Sequence, residues 1–299
     1  MFFSEKDREK ALDEFEPTRK IVEFGLSTFD RNTQCLYYWI VANYYNAVDK
    51  FDLSNQFLDL GFMHLNVADW EILESLMIML KIQNSVKTND SEYAFTNLPF
   101  LRSRFLRDHN YKAIAYIDGL ETLLLMSLGK YSMAEKKLLH LYSNLQQIEQ
   151  NNLTSQCLDN LFWCYLLQEK FKEIDSMIQH LVSDHSDCSK ISNLIFYPYC
   201  LYRLDKPDAA LEWVICLRAR KSRYPVIDNS LLDIQEDLIL NRKKTFIRHA
   251  DKLLNYYDKH NDQDMIRILL KMKIYYYESN SNLAEANKQW TYYVQQFES

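Results

Sequence analysis

At 299 residues and 47% hydrophobic content, the chain can bury a large core. Its net charge of −6 disfavours a general nucleic-acid binder, because phosphate contact needs a basic surface. Four Gly and five Pro are too few for a strand-and-turn architecture, and no apolar run reaches the roughly 18 residues of a membrane span, so the composition points to an all-α protein without a membrane segment.

The opening MFFSEKDREKALDEFE is charged where a signal peptide is apolar, which places the chain in the cytoplasm. The six cysteines show no paired spacing and are expected to be reduced there. Residues 4–30 read as a leading helix or two, with Ser4 as N-cap and Pro17 opening a second segment; nothing in them makes a helix-turn-helix. Residues 33–48 form a strongly apolar helix, in which Ala42 and Ala47 permit close packing, and Asp52–Leu65 returns after a turn at Lys50. Asp69–Ile82 is a helix apolar on more than one side and is expected to be well covered. The polar run Gln83–Glu92, with Pro99 beyond it, reads as a junction. The chain thus divides into an N-terminal helical segment 1–30, irregular helical repeats 31–110 and regular repeats 111–299.

The regular part is clearest in Gly119–Leu145, where Leu120, Leu123, Leu124 and Met126 lead to a turn at Leu128-Gly129. After Tyr131, Ala134, Leu138, Leu141 and Leu145 recur on one face of a 3.6-residue period. Aligned on Ala134, the chain has Ile174, Ala210, Ile247 and Ala286 after it, at spacings of 40, 36, 37 and 39. Stepping back by 40 reaches Ala94 and Ser54, although Pro99 is expected to interrupt the second helix after Ala94. Pro198 should kink or split the helix in ISNLIFYPYCLYRL. The G-x-Y-x-x-A pattern of the central hairpin resembles the second half of a tetratricopeptide (TPR) repeat. The resemblance implies a TPR-like solenoid of about 5–7 helix pairs.

No phosphate loop, HExxH, GxSxG or CxxC is present, so the chain reads as a binding protein and not an enzyme, with no cofactor and no metal. His180, His185 and Cys188 lack a fourth ligand and read as a polar loop. The basic runs 217–223 and 241–248 read as solvated helix ends, since cations favour helix C-termini.

In a TPR-like stack the first helix of each pair lines the concave groove where peptides lie. The groove positions are Asn43 and Asn46; Gln156, Asp159, Asn160 and Trp163; Phe196, Tyr199 and Arg203; Asn229, Asp233 and Glu236; and Lys271 and Tyr275. Asn and Gln pair with both the N–H and the C=O of an extended peptide, and aromatic neighbours supply pockets.

The stretch LTSQCLDNLFWCYLLQEKFKEIDSMIQHL, with ISNLIFYPYCLYRLDKPDAALEW, is similar to the repeat domain of bacterial peptide-pheromone receptors of the Rgg, PlcR and Rap type. The similarity covers roughly residues 30–299 and implies a right-handed superhelix that binds a short peptide in its groove. Many members place a helix-turn-helix before the repeats. Thirty residues are too few for one, so the Rap-type arrangement, acting on another protein, is the closer parallel. The alternative is an assembly scaffold that dimerises and recruits a folded partner.

Overall fold

The computed structural model describes residues 5–66, 70–88, 90–147, 151–183, 191–219, 226–259 and 262–297. Among them there is no strand, and fifteen α-helices follow one another, packing mainly on their neighbours in sequence. After α1 (Glu5–Gly25) they form seven hairpins. These are α2 (Arg31–Ala47) with α3 (Phe51–His64), α4 (Glu71–Thr88) with α5 (Ser91–Arg107), α6 (Tyr111–Ser127) with α7 (Tyr131–Gln147), and α8 (Asn151–Leu167) with α9 (Phe171–Ser183). The last three are α10 (Tyr197–Arg203) with α11 (Pro207–Ala219), α12 (Val226–Ile239) with α13 (Lys243–Lys259), and α14 (Gln263–Ser279) with α15 (Leu283–Phe297).

One type of turn joins the two helices of nearly every hairpin. One of its residues lies in the left-handed region, at Asp49 (φ 59°), Gly129 (69°), Glu169 (57°), Asp205 (57°), Asn241 (52°) and Ser281 (55°). The next N–H then closes a six-residue loop back to the first helix: Lys50 to Tyr45 O at 2.8 Å, Lys130 to Leu125 O at 2.8 Å, Lys170 to Tyr165 O at 2.9 Å. Lys206 to Leu201 O (3.0 Å), Arg242 to Asp237 O (2.8 Å) and Asn282 to Tyr277 O (2.9 Å) repeat it. This is a Schellman closure, which satisfies carbonyls that the helix end leaves orphaned.

Five residues after each left-handed residue the second helix buries one side chain. These are Ser54, Ala134, Ile174, Ala210, Phe246 and Ala286, joined by Ala94 in α5, none more than 1% exposed. The spacings are 40, 40, 40, 36, 36 and 40. Phe246 therefore replaces Ile247 in the register: Ile247 is only half-buried, and the closure at Arg242 fixes the start of α13 one residue earlier. Pro99 does not interrupt α5. Pro99 and Phe95 are both exposed, so the carbonyl that loses its N–H partner faces water and the helix runs on. Pro17 likewise lies inside a single α1, and Ser4 is outside the described residues. Pro198 sits in the first turn of α10, after a 3-10 turn at Ser192–Phe196, where a missing N–H costs nothing. The polar run from Gln83 is helical through Thr88.

The chain forms two compact units, Met1–Cys157 and Leu158–Ser299. In the first, Cys35, Ala42, Leu58, Met77 and Leu80 make one core, and Ile82, Leu98, Leu101, Ile117 and Leu124 another. Buried Asn84 knots three helices together. It donates to Ser54 Oγ (2.9 Å) and Asn55 Oδ1 (2.7 Å) and accepts from Asn46 (2.7 Å). Asn46 is thereby tied into the core and not presented to a groove. In the second unit Gln235 plays the same part, fully buried, accepting from Tyr199 N–H (3.0 Å) and donating to Ile195 O (2.9 Å).

No helix is long and apolar enough to cross a membrane among the described residues. Cys35, Cys157, Cys164 and Cys200 are buried free thiols and Cys216 an exposed one; burial pushes the Cys157 thiol up to about 12. His185, Cys188 and much of the run 217–223 lie outside the described residues. In the run 241–248, Lys243 and Lys244 are exposed in the first turn of α13, not at a helix C-terminus. Arg242 meets Glu236 near the end of α12 at 3.5 Å.

Candidate functional site

In the second unit the first helices of the hairpins meet around the turn that closes α8. Glu169, the left-handed residue of that turn, holds two cations from two other helices. Lys271 of α14 lies 2.9 Å from Glu169 Oε1 and also donates to Leu167 O at 3.2 Å. Arg203, the last residue of α10, reaches Glu169 Oε2 at 3.4 Å through Nη2 and Tyr199 Oη at 2.8 Å through Nη1. Aromatic rings surround the guanidinium: its central carbon is 4.2 Å from the Tyr275 centroid, 4.7 Å from Phe171 and 5.8 Å from Tyr199. Such contacts hold a cation by the ring quadrupole, more strongly when water is scarce. The Lys271 ammonium lies 5.8 Å from the Tyr293 ring.

Charge in this cluster is lopsided, with two cations sharing one carboxylate. Burial pushes the Glu169 carboxyl up, but the hydrogen bond and charge of Lys271, with Arg203 behind them, outweigh it and hold the group below its ordinary range. Burial opposes the charge on Arg203, and Tyr199 and Glu169 outweigh it, so the guanidinium is raised. Burial, only partly offset by Arg203, raises the Tyr199 phenol and keeps it neutral.

Trp163 on α8 extends the face. Its indole Nε1 points at Asp264 of α14 (3.5 Å), and its ring lies 5.7 Å from Phe196. One turn earlier Asn160 is half-buried with no hydrogen-bond partner among the described residues, and Asn229 on α12 has the same character. An amide so placed keeps both a donor and an acceptor available to a ligand.

The structure therefore brings Tyr199, Arg203, Lys271 and Tyr275 into one cluster at the turn that closes α8, with Trp163 one turn before Leu167 on that helix and Asn160 a turn before Trp163. Phe196 is 2% exposed and acts as the floor beneath Trp163. Asp159 lies beneath the face: its carboxylate accepts from Asn193 N–H at 2.8 Å, and burial raises its pKa despite that bond. Asp233 and Glu236 are both ion-paired to Arg218 of α11. Gln156 is exposed and belongs to the first unit. Asn43, also in the first unit, is exposed and donates to Trp39 O of its own helix at 2.8 Å.

The chain matches no protein-family model and no curated protein. Its functional reading therefore rests on its own residues.

Sequence reasoning missed Glu169 and Phe171, which complete the cluster. The signal was present: each hairpin turn reads as a short residue followed by a polar one, and Glu169 is the long exception. It also missed an apolar cleft of about 610 Å³ in the first unit, lined by Leu36, Trp39, Trp70, Ile72, Leu73 and Leu76. The start of α4 is not well covered as expected, because Ile72 is 77% exposed and Leu76 38%.

Proposed function

We propose that the chain is a cytoplasmic TPR-like repeat protein, right-handed as in that repeat class, that recognises a peptide or extended protein segment. The binding face is formed by α8, α10, α12 and α14 of the second unit, and regulation of another protein is the outcome. The observation that carries this reading is the cluster itself. Cations and rings of α10 and α14 converge on the turn that closes α8, and Trp163 and Asn160 stand about one and two turns before that turn on α8, the Asn160 amide open among the described residues. Fixed cations and rigid rings recognise a segment at small entropic cost, and open amides bind its backbone without demanding one sequence.

A second reading, an assembly scaffold that dimerises or recruits a folded partner, draws on the apolar cleft of the first unit. Selection of random linear peptides on the immobilised full chain, followed by hydrogen exchange with a selected peptide, separates the two. Protection at α8, α10 and α14 supports the first reading. Protection confined to α2 and the start of α4, with a concentration-dependent dimer in sedimentation, supports the second.

A further inference from the structure

The turn residues of the hairpins make Glu169 an exception. Asp49, Gly129, Asp205, Asn241 and Ser281 are all short residues or glycine, which meet least resistance in a left-handed backbone. Between hairpins, His109 is left-handed too, and histidine visits that region more often than most residues. Glu169 adopts φ 57° with a long side chain that gains nothing from that conformation locally. The Schellman closure at Lys170 imposes that backbone on whatever residue stands there, so a glutamate at this position points to a role for its side chain elsewhere. Its carboxylate is the one that pairs with both Arg203 and Lys271. It is also the loosest of the three, with 35% of its side chain exposed against 19% for Arg203 and 15% for Lys271. The cations are fixed by rings and by Leu167 O, whereas the carboxylate hangs from a turn at the edge.

We propose that Arg203 and Lys271 form a carboxylate-binding site in which Glu169 is a resident stand-in, displaced when a ligand carboxylate arrives. This rests on the peptide-binding reading and names the group that the peptide must offer: a terminal carboxylate or an Asp or Glu side chain. Arg203 presents a planar fork and Lys271 a point charge, and Phe171, Tyr275 and Tyr293 wall the approach, so the site suits a carboxylate carried next to an apolar group. Displacement exchanges the two ion pairs of Glu169 for those of the ligand carboxylate and moves Glu169 into water. Binding therefore competes with an internal group at high effective concentration, and a peptide must add its own contacts along α8 to win.

The test uses the full-length Glu169→Gln chain, with Glu169→Gly as a second variant that suits the left-handed turn. The probes are N-acetyl-phenylalanine, its amide, and N-acetyl-aspartate amide, each titrated by ligand-detected NMR. The acid is expected to bind either variant roughly tenfold or more tighter than it binds the wild type, the change that freeing a charge-assisted pair brings. It should bind at least as much tighter than its own amide, and adding Lys271→Gln or Arg203→Gln should abolish the gain. Binding of N-acetyl-aspartate amide assigns the site to acidic side chains, and binding of the acid alone assigns it to chain termini; both support the proposal. Equal binding of acid and amide, or no gain on removing Glu169, overturns it. If amidated, acid-free peptides selected on the wild type still protect α8 and α10, the peptide-binding reading survives that failure. If no selected peptide protects that face, the peptide-binding reading fails separately.

Discussion

The turns of α6/α7 and α8/α9 have nearly the same backbone and opposite chemistry. At Gly129 the left-handed residue has φ 69°, no side chain, and open space within 4 Å of where a β-carbon would stand. At Glu169 the same geometry carries a carboxylate that anchors two helices. The first turn answers only to the fold. The second has a residue that local conformation disfavours, so the reason for it lies in tertiary charge. The same contrast separates the units. The first ties three helices with neutral amides around Asn84, and its ring-flanked cation Arg19 pairs with Glu16 and Glu23 of its own helix. In the second, a charged, ring-walled cluster joins residues of different helices.

The largest expected effect tests the repeat register that makes these turns equivalent. Phe246→Ala should cost about 3–5 kcal/mol in urea denaturation, because a fully buried ring leaves a cavity, whereas Ile247→Ala should cost clearly less. Similar costs at both would break the register. Ala134→Trp should cost about 1–3 kcal/mol or more by overfilling a site with no exposed surface. An unchanged melting temperature would remove Ala134 from the contact between α6 and α7.

Gly129→Ala should cost about 1–2 kcal/mol, since a β-carbon is strained at φ 69° even with open space around it. Glu169→Gly sharpens the contrast, because it relieves the same strain but removes the ion pairs; it should fall between the wild type and Glu169→Ala in thermal melts. The pH dependence follows from the lowered carboxyl of Glu169. A folded pKa below the ordinary value, about 4.3, gives stability that is fully present above that value and lost as pH falls through the folded one. The stability gap between wild type and Glu169→Gln should therefore be constant near neutral pH and shrink below about pH 4. A gap that persists in acid would mean the glutamate acts by packing and not by charge.

Much of the fold was legible because it is repetitive. Ala134, Ile174, Ala210 and Ala286 are small or apolar residues flanked by polar turns, and their spacing follows from helix length plus a fixed Schellman closure. Phe246 escaped because it is large where the others are mostly small, so a search for a compact residue slid to Ile247. Pro99 misled for a different reason: proline breaks a buried helix, but on the outer face of α5 water replaces the lost partner. At the site, Trp163, Arg203 and Lys271 were reachable from the period of their helices. Glu169 was not reachable from period, because a loop residue has none; the signal that marks it is its length where the other hairpin turns carry a short residue. Asn46 is half-buried with its amide spent on Asn84, and Phe196 is buried in the 3-10 turn before α10, distinctions that period alone does not make.

Whether the first-helix face of the second unit binds an extended segment is tested most directly at Asn160. Calorimetry with a peptide selected on the wild type should show Asn160→Ala weakening affinity by about 5- to 150-fold, the cost of leaving a peptide group unpaired. Its melting temperature should hardly move, because the amide has no partner among the described residues and Ala is the better helix former. Equal affinity together with a large drop in melting temperature would contradict peptide binding at this face and make Asn160 a structural amide.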